Sequence, residues 1–197
     1  MINPAFKNFP EEELYLGRIV IGYGELEINL IHLSGLAINQ KWPVLAACHS
    51  VRTETGKIDI AVALAKDAMK EQGLGAEFEI AVRYLRHCLT IRNNYAHAHW
   101  GEFQGELKFM KADGAFERPL KPIQWKAITL DLVKQQEAFF ENTRKWLLYL
   151  VLTLEARYEN QIPYLNTPAE MQLPNAHIPL PTPGRIPKGK GSRDQPQ

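Results

Sequence analysis

The 197-residue sequence lacks most of the usual carriers of chemistry. It has no Gly-rich phosphate loop, no Cys-x-x-Cys pair, no Gly-x-Ser-x-Gly nucleophile elbow and no acidic metal cluster, so nucleotide hydrolysis on a P-loop, zinc-ribbon chemistry and serine hydrolysis have no local support. There are only two cysteines, Cys48 and Cys88, both inside apolar helical patterns, which excludes a disulfide scaffold. There is no excess of one charge: 23 Lys and Arg stand against 22 Asp and Glu, so nucleic-acid contact has to be local and not field-driven. Long hydrophobic runs are missing as well. The longest, Trp146 to Leu154, is about half the ~20 residues a spanning helix needs, so no membrane partner is expected. The first residues, MINPAFKNFPEEE, lack the basic start and apolar centre of a signal peptide, and the expectation is a cytoplasmic protein with reduced thiols.

With 45% hydrophobic and 23% charged residues, the chain has the composition of one globular domain with a proper core. Pro10 followed by Glu11, Glu12 and Glu13 starts a helix expected to reach about Leu36. Its stripe is read as Leu14, Gly17, Ile21, Gly24, Ile28, Ile31 and Gly35, with three glycines on a face that lets another helix come close. Trp42-Pro43 is read as a turn. Val44 to Val51 and Ile58 to Met69 follow as helical segments divided near Thr55-Gly56 and closed by Gly73 and Gly75. The next helix, about Ala76 to Ala96, carries the seam Phe78, Ala81, Leu85, Cys88, Arg92, Tyr95 and His99.

Beyond Gly101 the period shortens to two. Glu106 to Phe109 alternates, Asp113-Gly114 is a hairpin signal and Ala127 to Leu130 supplies a short return strand. A long helix, about Leu130 to Tyr158, follows Thr129 as cap, with Phe140, Leu147, Leu150 and Leu154 on its buried side. The fold class is therefore all-α: a bundle of four to five helices with a small β-hairpin inserted before the last long helix. The domain is expected over residues 1–160. In 161–197, eight of the chain's 13 prolines fall in 37 residues, and this segment is expected to be a disordered, proline-rich tail.

Candidate functional residues concentrate in Leu89 to Trp100, LTIRNNYAHAHW. Arg92 falls on an apolar seam, where burying a charge is costly unless it is paired. Asn93 follows it, and His97 and His99 lie just beyond. Arginine presents a planar fork to phosphate oxygens, histidine titrates near neutral pH, and neither needs a metal. On a continuous helix, five residues turn through about 500°, which would set Arg92 and His97 about 140° apart. Either the helix ends before His97, or groups from two chains converge. His97 would continue the polar face Arg83, His87, Thr90 and Asn94, and Arg83, Arg86 and His87 form a basic cluster beside it.

The run Arg92-Asn93-Asn94-Tyr95-Ala96-His97, an arginine, a polar residue and a histidine at the end of a helix, resembles the Arg-x(4-6)-His signature of the HEPN superfamily. The resemblance spans residues 10 to 160. It implies a helical bundle that dimerises with two motifs facing each other, and a metal-independent endoribonuclease without cofactor, such as a toxin or defence effector held by a cognate antitoxin. Arg92, Asn93 and His97 would then be catalytic, with His99 auxiliary. Other members bind RNA or nucleotide, or act as scaffolds, without cutting, and that alternative stays open. The expected partners are a second copy, RNA or nucleotide, and an antitoxin.

Overall fold

α1, Pro10–Ala37, is the element the others are laid around: it packs most extensively on α5 (Leu130–Tyr158) and also meets α2 (Lys41–His49), α3 (Glu54–Glu71) and α4 (Gly75–Ala96). The structure is a computed structural model and describes residues 3–111, 124–159 and 166–176. Five α-helices and a small antiparallel sheet before the last long helix give the expected fold class.

The buried face of α1 is not the expected one. Leu16, Ile19, Tyr23, Leu26, Leu30 and Leu33 face the core, whereas Leu14, Ile21 and Ile28 are exposed. Both sets repeat at three and four residues, so periodicity alone does not choose between them. Side-chain size does. The inner set has a large apolar group at every position, and burial is worth about 25 cal/mol per Å² of apolar surface. A glycine-bearing stripe offers less to bury. Only its last members, Ile31 and Gly35, are covered, and a Cβ on Gly35 would stand 2.8 Å from the Lys41 Cα of α2.

Trp42-Pro43 lies within the first turn of α2, not in a turn before it, because proline there removes no intrahelical bond. The break between α2 and α3 falls at residues 50–53, earlier than Thr55-Gly56. Thr53 caps α3, its Oγ1 accepting from Gly56 N–H at 3.2 Å, and a Cβ on Gly56 would strike Val51 and the capping hydroxyl. Gly73, at φ +66°, ends α3 in the left-handed conformation: its N–H donates to Lys70 O and that of Leu74 to Met69 O.

The sheet begins sooner than its alternation suggested. β1 (His99–Phe103) pairs with β2 (Glu106–Met110) across Gln104-Gly105, whose φ values of 58° and 73° suit the twist of a two-residue hairpin. β3 (Lys126–Ala127) pairs with the other edge of β2. Asp113-Gly114 lies outside the described residues. The inner face of the sheet buries Leu107 and Phe109, and Trp100, Phe109 and Tyr95 form one aromatic cluster with ring centroids 5.4 to 5.8 Å apart. That cluster fixes the sheet against the end of α4.

α5 starts on Thr129, whose Oγ1 accepts from Leu132 N–H at 3.2 Å, and buries Phe140, Leu147, Leu150 and Leu154 as expected. Cys48 and Cys88 are buried free thiols, and burial pushes Cys88 up to about 12. No described helix is long and apolar enough to cross a membrane.

The segment expected to be a free tail is partly structural. Residues 166–176 run extended along α4 and α5 and are held mainly through their own backbone. Asn142 Nδ2 donates to Ala169 O at 3.3 Å, and Tyr84 both donates to Met171 O at 2.9 Å and accepts from Met171 N–H at 2.8 Å. His87 Nε2 lies 2.6 Å from Pro174 O, and Gln136 Nε2 and Asn94 Nδ2 each donate over 2.6 Å to the carbonyls of Asn175 and Ala176. Proline's missing donor is no handicap to a strand that is bound mostly through its carbonyls. The remainder of 161–197 lies outside the described residues.

Candidate functional site

Arg92 sits in the last turns of α4, on the side turned toward α1 and α3. Its Nη1 donates to Asn93 Oδ1 at 2.8 Å and to Glu54 Oε1 of α3 at 3.2 Å. Its guanidinium carbon lies 5.8 Å from the ring centroid of Tyr23 in α1. The structure bonds Arg92 to its neighbour Asn93, where the expectation was a role at the phosphate or the histidine, and adds two residues that no local pattern indicated. Tyr23 is buried, and its hydroxyl is held well above its ordinary range by desolvation first, then by Glu27 and Glu54, with Arg92 acting the other way. Beside it, Glu27 pairs with Lys57 at 2.8 Å.

The hydrogen bonding of this cluster is incomplete. Among the described residues four buried side-chain polar atoms have no partner, and two of them, Arg92 Nε and Tyr23 Oη, belong to this one contact. Buried donors are normally satisfied, and each left unpaired costs about 1–3 kcal/mol. Both donors belong to side chains in contact, one of them a cation, and each is left open to an acceptor, most favourably an anionic oxygen.

His97 is not part of this cluster. α4 ends at Ala96 and His97 is its C-terminal cap residue, at φ −111° and ψ 17°, exposed to solvent. The end of the helix before His97 is one of the two resolutions of the 140° problem that the spacing posed. Among the described residues, neither Arg92 nor Asn93 bonds to His97. His99 does not continue the α4 seam: it opens β1 opposite Met110, with its side chain exposed. The remaining seam residues, Phe78, Ala81, Leu85, Cys88 and Tyr95, are buried as expected.

The polar face of α4 has a different use from the one its charge suggested. Arg86 is paired with Asp59 at 2.6 Å and Arg83 with Glu170 at 3.4 Å, so the basic cluster is neutralised on the surface. His87 and Asn94 hold the 166–176 strap, and Tyr95 donates to Gln136 Oε1 at 2.6 Å. Sequence reasoning missed this role. The available signal was a set of hydrogen-bonding side chains, Tyr84, His87 and Asn94, at helical spacing on one side of α4. No family model, no curated protein and no solved structure matches the chain.

Proposed function

We propose that the chain is a metal-independent endoribonuclease of HEPN type, cutting RNA at a composite site of two copies, in the manner of a toxin or defence effector under a cognate antitoxin. The observation that carries this reading is the pair of unsatisfied buried donors, Arg92 Nε and Tyr23 Oη. A phosphate oxygen is the acceptor that both lack. Asn93, bonded to Arg92, steadies the guanidinium.

His97, exposed at the end of α4, is the group for proton transfer. In the reaction the RNA's 2′-hydroxyl gives up its proton, its oxygen bonds to the adjacent phosphorus, and the bond from phosphorus to the 5′-oxygen breaks as that oxygen takes a proton. A 2′,3′-cyclic phosphate and a 5′-hydroxyl result. Since Arg92 and His97 do not meet within one chain, the reading places the Arg92 of one copy with the His97 of the other.

The other reading is a non-catalytic module that binds RNA or nucleotide. What favours it is the existing commitment of Arg92 to Glu54 and its separation from His97. Incubating the protein with a mixed RNA pool in EDTA tells the two apart. Cyclic-phosphate ends that disappear with His97→Ala support the nuclease. Products with 5′-phosphate ends, or a requirement for a divalent metal, exclude it. Binding that depends on Arg92 without any cleavage identifies the module.

A further inference from the structure

α1 carries two apolar stripes on nearly opposite sides, and the chain covers only one. On the outer side Leu14 is 52% exposed, Ile21 80% and Ile28 40%. Between them, Gly17 and Gly24 have nothing within 4 Å of where a Cβ would stand, and neither has Gly22. A shallow trough of about 540 Å³ opens there, lined by Glu13, Leu14, Gly17, Arg18, Ile21 and Gly22. Each glycine inside a helix costs about 1 kcal/mol relative to alanine. Within one chain these three gain no close approach to offset that cost.

We propose that this stripe is a self-association seam on which α1 of a second copy packs antiparallel, with Ile21 against the partner's Gly24 and Ile28 against the partner's Gly17. The pattern is that of a coiled coil: Leu14, Ile21 and Ile28 repeat every seven residues, with Gly17 and Gly24 at the alternate seam positions. A parallel pair would stack glycine on glycine and leave two voids. Antiparallel pairing sets every isoleucine into the notch of a glycine, the arrangement that fills space best.

Charge selects among the antiparallel registers. Seating Ile21 on the partner's Gly17 also fills the notches, but it brings Arg18 against the partner's Arg18 and Glu13 against the partner's Glu27. The proposed register places Arg18 beside the partner's Glu25, twice by the two-fold symmetry. Arg18 is 53% exposed despite its 3.6 Å pair with Glu137, and Glu25 is exposed. The seam stops where α2 covers Gly35. The nuclease reading also needs a second copy, but this seam lies on the side of α1 away from Tyr23 and Arg92, so it is a contact distinct from one that joins Arg92 to a partner's His97.

Sedimentation velocity on the full chain at micromolar concentrations, without RNA, tests it. The wild type should be a dimer. Gly24→Leu fills the receiving notch at a position where an added Cβ meets nothing within 4 Å, so it should leave the melting temperature of the monomer intact or raised while weakening dimerisation about tenfold or more. Arg18→Glu and Glu25→Arg should each weaken it, and the double exchange should restore it. A monomeric wild type overturns the proposal. So does a dimer indifferent to Gly24→Leu, or a charge exchange that fails to restore association.

Discussion

Tyr23 and Arg92 meet across the α1–α4 packing with the guanidinium carbon 5.8 Å from the centroid of the phenol ring, and each brings a buried donor that has no acceptor among the described residues. Such a contact is a poor device for stability. It suits a place where a ligand oxygen completes the set.

Removing the unsatisfied hydroxyl should therefore cost little in folding. Tyr23→Phe keeps the ring beneath Arg92 and is expected to leave stability unchanged or to raise it by up to about 1 kcal/mol, while weakening RNA binding. Thermal melts beside a filter-binding titration check both halves. A large loss of stability would show that the hydroxyl is satisfied in the folded protein.

Arg92 and His97 should fail in different ways. His97→Ala should lower the cleavage rate by roughly 10²–10⁴ with RNA binding largely kept. Arg92→Ala should lower apparent affinity and turnover together, since the same cation holds the ground-state phosphate and the charge that develops on it. Single-turnover kinetics with separate binding curves resolve the two. His99→Ala, on the exposed side of β1, should have the smaller effect.

The strap should be part of the cooperative fold. Gln136 is fully buried, accepts from the Tyr95 hydroxyl and donates to the Asn175 carbonyl. Gln136→Leu removes both bonds and leaves the buried Tyr95 hydroxyl without this acceptor, and should cost about 1–3 kcal/mol by denaturant melting. Hydrogen exchange should show the Met171 amide, which donates to Tyr84, protected in the wild type. Exchange at the free rate there would mean that the strap does not stay bound.

Acid should weaken the fold partly through His32. Desolvation first, then Lys41, holds its folded value below the ordinary 6.5, and Glu155, 4.0 Å away, offsets this only in part. The unfolded chain then binds the proton better, so stability rises with pH across this range. The contribution is present above about 6.5 and is lost as pH falls through the lowered folded value. Melting temperatures on the acid side of neutrality should fall less steeply in His32→Gln than in the wild type.

The helices were legible where a local signal marks them: Pro10 with three glutamates for α1, Thr129 for α5, the apolar seam for α4. The facing of α1 was not, because two stripes share one period and only the packed partner reveals which is covered. The start of the sheet at His99 is hidden in the sequence because that residue also falls on the period of the α4 seam. Spacing singles out Arg92 and Asn93, but Tyr23 and Glu54 reach Arg92 from other helices, and no local pattern announces a tertiary contact. The strap could not be read from its own residues at all. What binds it is its backbone, which every sequence shares, so the information lay in Tyr84, His87, Asn94, Gln136 and Asn142.

Because the strap belongs to the same chain as its groove, its binding does not depend on protein concentration. Six residues join Glu159, which caps α5, to the start of the strap at Asn166. So short a tether gives an effective concentration on the order of millimolar. Dilution does not empty the groove, and a free peptide of the same sequence has to exceed that level to compete. The polar side of α4 is thus uncovered only by a unimolecular opening, whose frequency is set by the strap's hydrogen bonds and not by how much protein is present.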